Sequence, residues 1–395
     1  MNIGMILDST FPPDPRVENE ALSLIRNGHS VYLYCLDYTH SLPEYEVINR
    51  IHVHRQRLPK HLYSFSALAY TIPYYHASLK KSIAKFVTDN GIQALHIHDI
   101  QVARSVISVA KKMNLPTVLD LHENRPEIMK HYAHVKSFLG RLLIYPSLWK
   151  KYEYKYIKKA TKVIVVTEDA KEYYLERIAV DPDKIYVVPN TVRKEFYTNY
   201  EVQEDIIQKY KDTFNILYLG DTGLRRGIVT AIKSLKYLID KIPNVKLVIV
   251  GKSITDPLLK ELITELGYEK YVDLTGWKNF ELFPSYILAS HIGVCPIHKN
   301  IHHETTYANK LFQYLAFGKP IVVSDCKAQA NLVTKYNCGL IFKDQDEEDF
   351  AAKVLELYED KSLYQNQSAN GKKAIEESLN WDVVSNNLIK LYEEI

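Results

Sequence analysis

The sequence predicts an α/β protein made of two successive parallel-sheet halves, and three observations predict it. Short runs rich in Val, Ile, Leu and Tyr alternate with amphipathic helical patterns along the whole chain, as strands joined by crossover helices do. Several of these runs are nearly continuous in apolar residues, which is the pattern of strands covered on both faces. The 395 residues, 46% hydrophobic and 25% charged, suffice for two domains with a core each.

In the first half the strand-like runs are residues 2–7, 30–36, 93–98, 117–121, 162–167 and 184–188. Between the first two, Asp14 is placed to cap a helix that starts at Pro15, buries Val17, Ala21, Leu24 and Ile25, and stops at Gly28. The second half repeats the style with runs at 214–219, 245–250, 271–275, 291–295, 320–324 and 339–342. Its first run is followed by a glycine-bearing loop and a helix from Gly227 whose stripe is Ile228, Ala231, Ile232, Leu235 and Leu238. Pro189-Asn190-Thr191 lies between the halves as the natural hinge, giving domains of residues 1–190 and 191–378. The final stretch, 379–395, is amphipathic from Trp381 to Tyr392.

Charge and cysteine usage exclude several classes. The formal net charge is only +3, and no basic-aromatic recognition motif is present, so a nucleic-acid partner is not expected. The charge divides unevenly, with 27 Lys and Arg against 20 Asp and Glu in residues 1–195, and 23 against 27 in residues 196–395. Lys150, Lys151, Lys155, Lys158, Lys159 and Lys162 are interleaved with Trp149, Tyr152, Tyr154 and Tyr156. That composition suits an anionic membrane surface, and equally a solvated helix whose aromatic side chains pack inward. The start of the chain lacks the features of a signal peptide, and no apolar run approaches the roughly 20 residues of a membrane span, so a cytoplasmic location is expected. Cys35, Cys295, Cys326 and Cys338 have no CxxC spacing and read as reduced, buried thiols. Asp181 with Asp183, and Asp344 with Asp346, are better explained by turn chemistry than by a cation. No metal and no cofactor are expected.

In open parallel sheets ligands bind beyond the carboxyl ends of the strands, so the loops that follow them hold the candidate sites. The loop Gly220-Asp221-Thr222-Gly223-Leu224-Arg225-Arg226-Gly227 offers permissive glycines, two guanidinium groups and a helix N-terminus, a suitable set for a diphosphate. Further on, Leu311, Phe312, Leu315 and Ala316 form an apolar stripe, while Thr306, Asn309, Lys310 and Gln313 share the other side of a helix that Gly318 and Pro320 end. That polar side is suited to phosphate and ribose hydroxyls. In the first half His122 follows the run 117–121, and His98-Asp99 ends the run 93–98. Asp14, Arg16 and Glu18 follow the first run and serve either an acceptor or the helix terminus they occupy.

These segments, taken in order, resemble glycosyltransferase family 4. The likeness runs from Asp14-Pro15-Arg16-Val17-Glu18-Asn19-Glu20 through Asp120-Leu121-His122-Glu123 and Val187-Val188-Pro189-Asn190-Thr191. It continues through Arg226-Gly227, Gly276-Trp277, Asn309-Lys310-Leu311-Phe312-Gln313-Tyr314 and Gly318-Lys319-Pro320. The resemblance implies the GT-B architecture, two Rossmann-like domains facing a central cleft, with the last helix returning to the first domain. It implies transfer of a sugar from a nucleotide-sugar donor to a glycan or lipid-linked acceptor, with retention and without metal. His122 would contact the donor sugar, Arg226 and Lys310 the diphosphate, and Gly220, Thr222, Gly223, Arg225, Gly227, Thr305, Thr306, Asn309 and Gln313 the rest of the donor. Asp14, Arg16, Glu18, His98 and Asp99 fall on the acceptor side. Family members commonly carry two glutamates eight positions apart where this chain has Thr305 and Gln313, so the role of the first passes to Glu304. Asp221 stands where many members have an arginine. Two rival readings remain at this point, a nucleotide-sugar 2-epimerase of the same architecture and a non-catalytic sugar-nucleotide-binding subunit.

Overall fold

The computed structural model describes the backbone throughout residues 1–395 and side chains at all positions but 133, 134 and 139. It divides into two compact units, residues 1–189 with 385–395, and residues 190–384.

The first unit is built on an eight-stranded sheet in the order β3-β4-β2-β1-β5-β6-β7-β8. The strands are β1 (Asn2–Ile6), β2 (Ser30–Asp37), β3 (Tyr45–Ile48), β4 (Ile51–Arg57), β5 (Ala94–His98), β6 (Thr117–Leu121), β7 (Lys162–Val165) and β8 (Ile185–Val187). All pairs are parallel except β3 with β4. That hairpin is absent from the sequence reading. Its two-residue turn is Asn49-Arg50, both at positive φ (49° and 69°), the geometry of a type I′ turn without the glycine that normally signals one. The run at 162–167 is shorter than expected, because Thr167 leaves the strand to cap the helix Glu168–Leu175, accepting from Ala170 N at 2.9 Å. Asp14 caps the helix Pro15–Arg26 as expected, accepting from the amides of Arg16 and Val17 at 3.1 Å each, which is worth about 1 kcal/mol to the helix.

The second unit has a wholly parallel sheet in the order β11-β10-β9-β12-β13-β14. Its strands are β9 (Phe214–Leu219), β10 (Val245–Val250), β11 (Val272–Gly276), β12 (Ile292–Cys295), β13 (Ile321–Ser324) and β14 (Gly339–Phe342). Every residue of β9, β12 and β13 is buried, because helices cover both faces and one apolar cluster lies on each side of the sheet. All four cysteines are buried free thiols.

Both sheets reverse strand order once, at β1 between β2 and β5, and at β9 between β10 and β12. Crevices open at such points beyond the carboxyl ends of the strands, and those ends lead into Leu7-Asp8-Ser9 in the first unit and Gly220-Asp221 in the second.

Candidate active site

In the second unit the chain leaves β9 through residues 220–227, makes a single tight turn at Leu224–Arg226, and enters the helix Ile228–Leu238. Gly227 is fixed by geometry. It adopts φ 72°, and a Cβ there would lie 1.7 Å from the carbonyl oxygen of Pro296. Gly220, at φ 111°, leaves the space beside its Cα to Lys310, whose Nζ would sit 3.5 Å from any Cβ added.

Lys310 belongs to the helix Asn309–Ala316 and is 8% exposed. Its ammonium lies 3.6 Å from the centroid of the Tyr218 ring, and the Tyr218 hydroxyl donates to the carbonyl of Asp221 at 2.6 Å. Burial pulls its pKa down to about 7, Arg226 adds repulsion, and the Asp221 carboxylate opposes the fall only in part. Arg226 Nε donates to Asp221 Oδ2 at 3.2 Å, and the amide of Gly223 donates to Asp221 Oδ1 at 3.2 Å. The loop thus wraps its amide and guanidinium donors around its own carboxylate, as it would around a phosphate oxygen.

Other residues expected at this site have local tasks. Thr222 is 1% exposed and its hydroxyl donates to the Asp256 carboxylate. Thr305 and Thr306 donate to the backbone carbonyls of Ile301 and His302 at 2.8 Å each. Thr306 precedes the helix instead of lying on it, and Gln313 is buried rather than on a solvated face. Asn309 is exposed, Glu304 half-buried at the end of the turn Ile301–Glu304. Arg225 approaches His303 Nε2 at 3.4 Å. Asp344 accepts from the Lys299 amide at 2.9 Å and lies 2.8 Å from His298 Nδ1, while Asp181 and Asp346 accept from the amides of Asp183 and Asp349. The contacts of Asp181 and Asp346 are local turn chemistry, as expected, whereas Asp344 is held by a segment 45 positions away.

In the first unit the ends of β1, β5 and β6 open into a cavity of about 930 Å³. Asp14, His98, Asp99 and His122 line it, together with Asp8, Gln101, Glu123 and Arg125, which sequence reasoning passed over. Asp8 was legible by the rule that found Gly220, since it too follows the strand at a reversal of order. Burial pushes its carboxyl up to about 6 despite the attraction of Arg125. Asp99 sits at φ 67° and ψ 161°, caps the next helix through the amide of Ile100, and lies 3.5 Å from Arg125 Nη1. A non-glycine residue held there stores about 1–3 kcal/mol of strain, a feature that clusters at binding sites.

His122 Nε2 lies 2.6 Å from Asp120 Oδ2 and 3.1 Å from His98 Nδ1. Burial disfavours its charge, but the Asp120 carboxylate outweighs burial and lifts the imidazole to about 9. His98 goes the other way, lowered by burial and by His96 to about 4, so it is the neutral partner.

Arg16 and Glu18 do not line the cavity. Arg16 is 4% exposed and grips Asp120 with two bonds, Nε to Oδ2 at 3.0 Å and Nη2 to Oδ1 at 2.7 Å. A guanidinium beside a fully buried carboxylate is drawn inward because neither charge survives burial alone. Glu18 accepts from Asn49 at the surface. Glu20, His96, His98 and Asp120 bring one ligand atom each within 4.8 Å of one another. The Arg16 guanidinium stands among them, 3.0 Å from Glu20 and 2.7 Å from Asp120, so the two carboxylates are already matched by cations.

Residues 16–196 match the family model described as Glycosyltransferase Family 4, and residues 199–374 match that of Glycosyl transferases group 1. The protein is a glycosyltransferase of GT-B fold. It belongs to glycosyltransferase family 4, the family its motifs resemble. An uncharacterized glycosyltransferase of Methanocaldococcus jannaschii is 23% identical over 94% of this chain and 92% of its own length. The phosphatidyl-myo-inositol mannosyltransferase of Mycolicibacterium smegmatis is 20% identical over 100% of this chain and 94% of its own. Among solved structures, Anabaena HepE in complex with UDP superimposes with a TM-score of 0.75 over the full length of both chains, at 14% identity.

Proposed function

We propose that the protein moves a sugar from a nucleoside-diphosphate sugar to a hydroxyl of a lipid-linked glycan, with retention of anomeric configuration and without a metal. The observation behind this reading is the buried, unneutralised Lys310 beside Arg226 and the Gly220–Gly227 loop. A cation kept in a dry site with no carboxylate of its own is suited to an incoming anion. As the sugar–phosphate bond breaks, negative charge grows on the departing diphosphate. Arg226, Lys310 and the first amides of the helix Ile228–Leu238 would then stabilise it without reorganising. The cavity of the first unit takes the acceptor. Asp8 and Asp99 accept from sugar hydroxyls there, while Met129, Ile144 and Trp149 offer apolar wall.

HepE was crystallised with UDP, which makes UDP the first probe. UDP, GDP and ADP are expected to differ in their effect on thermal unfolding, and one at a hundred times its Kd should stabilise by about 2.7 kcal/mol. Sugars attached to that nucleotide are then tested for transfer, with NMR of the product reporting the anomeric configuration. Failure of every nucleotide to stabilise the protein would remove the reading, and loss of turnover on chelation with rescue by manganese would remove its metal-free part.

The acceptor is proposed to be reached at the cytoplasmic face of a membrane. No helix among the described residues is long and apolar enough to cross one. The helix Pro146–Lys159 turns Trp149, Tyr156 and Ile157 inward and leaves Lys151, Lys155, Lys158 and Lys159 exposed. Just before it, Phe138 is 85% and Leu142 58% exposed, beside Arg141. Exposed apolar side chains flanked by exposed cations suit an anionic lipid surface. Sedimentation with equimolar phosphatidylglycerol and phosphatidylcholine vesicles should carry the protein down, while phosphatidylcholine alone leaves it in solution. Equal binding to both, or none to either, would count against this contact.

A further inference from the structure

Behind His122, away from the cavity, lies a set of charged groups that sugar transfer as described does not use. Asp120 is fully buried on β6 and receives Arg16 on both oxygens. Arg16 also donates to the carbonyl of Val188 at 3.1 Å and lies 3.0 Å from Glu20 Oε1. Glu20 Oε2 is 3.2 Å from His96 Nε2, which in turn is 3.8 Å from Asp120 Oδ2. His96 Nδ1 meets the hydroxyl of Tyr392, from the last helix, at 2.9 Å. Glu20, His96, His98 and Asp120 are 0% exposed, a heavy desolvation cost that folding alone would avoid by placing apolar residues there. His98 and His122 carry this set to the cavity, and of the two His122, a fifth exposed, is the one that Asp120 holds at 2.6 Å.

We propose that Asp120 is a positioning residue for sugar transfer, clamped by Arg16 and backed by Glu20 and His96, which holds His122 with its Nε2–H on the carboxylate and its Nδ1 turned to the substrate. The inference rests on the reading that His122 acts at the transferred sugar. Asp120 has two oxygens in a fixed plane and Arg16 occupies both, so the carboxylate is not free to rotate and His122 inherits its orientation. The negative charge also keeps both ring nitrogens protonated, so that the group presented to the cavity is a donor and not a base. The charged or titratable groups acting on His122 are Asp8 after β1, Arg16 and Glu20 from the helix Pro15–Arg26, His98 on β5 and Asp120 on β6. Of these Asp120 is the nearest carboxylate, at 2.6 Å.

The test is histidine NMR on the full-length, histidine-labelled protein, read beside the pH profile of kcat. In the wild type His122 should titrate near 9. Asp120→Asn should bring that titration below about 7 and lower kcat about 100-fold or more, since without the carboxylate the ring is neutral at the working pH and Nδ1 no longer carries a proton to donate. Glu20→Gln is the gentler variant for the case in which Asp120→Asn does not fold. It removes one charge from behind the ring, and the His122 titration and the basic limb of kcat should fall by the same amount. A His122 titration that moves while the kcat limb stays in place would overturn the proposal, as would an Asp120→Asn enzyme of normal kcat. If instead His122→Ala transfers sugar normally, the parent reading of His122 fails, which is a distinct result.

Discussion

Lys310→Met is expected to weaken binding of the donor nucleotide by about 30- to 1000-fold while making the free protein more stable. The first part follows from removing a desolvated cation from an anion site, which typically costs roughly 2–4 kcal/mol of binding. The second follows because the free protein holds that cation without an ion-pair partner. An apolar side chain of similar volume carries no such desolvation cost, which for a buried ion is roughly several kcal/mol, so Tm should rise by several degrees for a unit of this size.

The same residue makes two pH dependences, of defined sign. In the unfolded chain a lysine titrates near 10.4, whereas in the free folded protein Lys310 does so near 7. Between those values the unfolded state binds the extra proton, so Lys310 makes stability rise with pH across that window and contributes its full penalty below it. Lys310→Met should lose this rise. For the nucleotide complex the sign reverses. The bound diphosphate favours the ammonium, so binding takes up a proton above pH 7 and affinity should fall by up to about tenfold per pH unit. Calorimetry in two buffers of different ionisation enthalpy measures that proton directly. A flat affinity between pH 7 and 9, or unchanged affinity in Lys310→Met, would separate Lys310 from the phosphate.

Much of this was visible in the sequence, and where it was not the reasons are physical. Asp14-Pro15 and Gly28 delimit the first helix because capping and φ restriction act within a few residues. Gly227 was identifiable as a loop glycine, but the reason for it, the Pro296 carbonyl 1.7 Å from any added Cβ, lies in a contact 69 positions away. The β3–β4 hairpin went unseen because Asn49-Arg50 turns without glycine. Thr222, Thr305 and Thr306 read as donor ligands by residue type; each hydroxyl donates to a carboxylate or a carbonyl, which leaves its lone pairs as the groups it can offer a ligand. Arg16 was assigned to the acceptor because it follows β1. Its side chain turns back to Asp120, a partner 104 positions on, and no local rule reports such a pairing. Arg125 was missed because it belongs to no motif, and Asp8 although it lies just past the first strand, where the strand-end rule points. Only the cavity shows them together with Asp99.

His122→Ala is expected to reduce transfer by about 100- to 10,000-fold with nucleotide affinity nearly unchanged. The two effects separate because His122 and the Lys310 loop belong to different units of the chain. A loss confined to kcat identifies an interaction made as the reaction proceeds, not one made on binding. Removing the ring also leaves Asp120 with one fewer donor, and an unmet buried acceptor costs roughly 1–3 kcal/mol of stability. His122→Gln therefore belongs beside it, since an amide still donates to Asp120 and a folding defect would then be repaired without restoring a charge. The pH profiles sort the two sites. kcat/KM reports groups of the free enzyme and should bend downward near 7 through Lys310, whereas kcat reports the substrate complex, in which Lys310 is held charged. The basic limb left in kcat then belongs to His122, near 9, and should be absent from what activity remains in His122→Gln. Were kcat of the wild type to fall already between pH 7 and 8, a neutral His122 would be indicated and the donor role assigned to it would be lost. Near-normal transfer by both variants would place the reacting sugar away from His122 altogether.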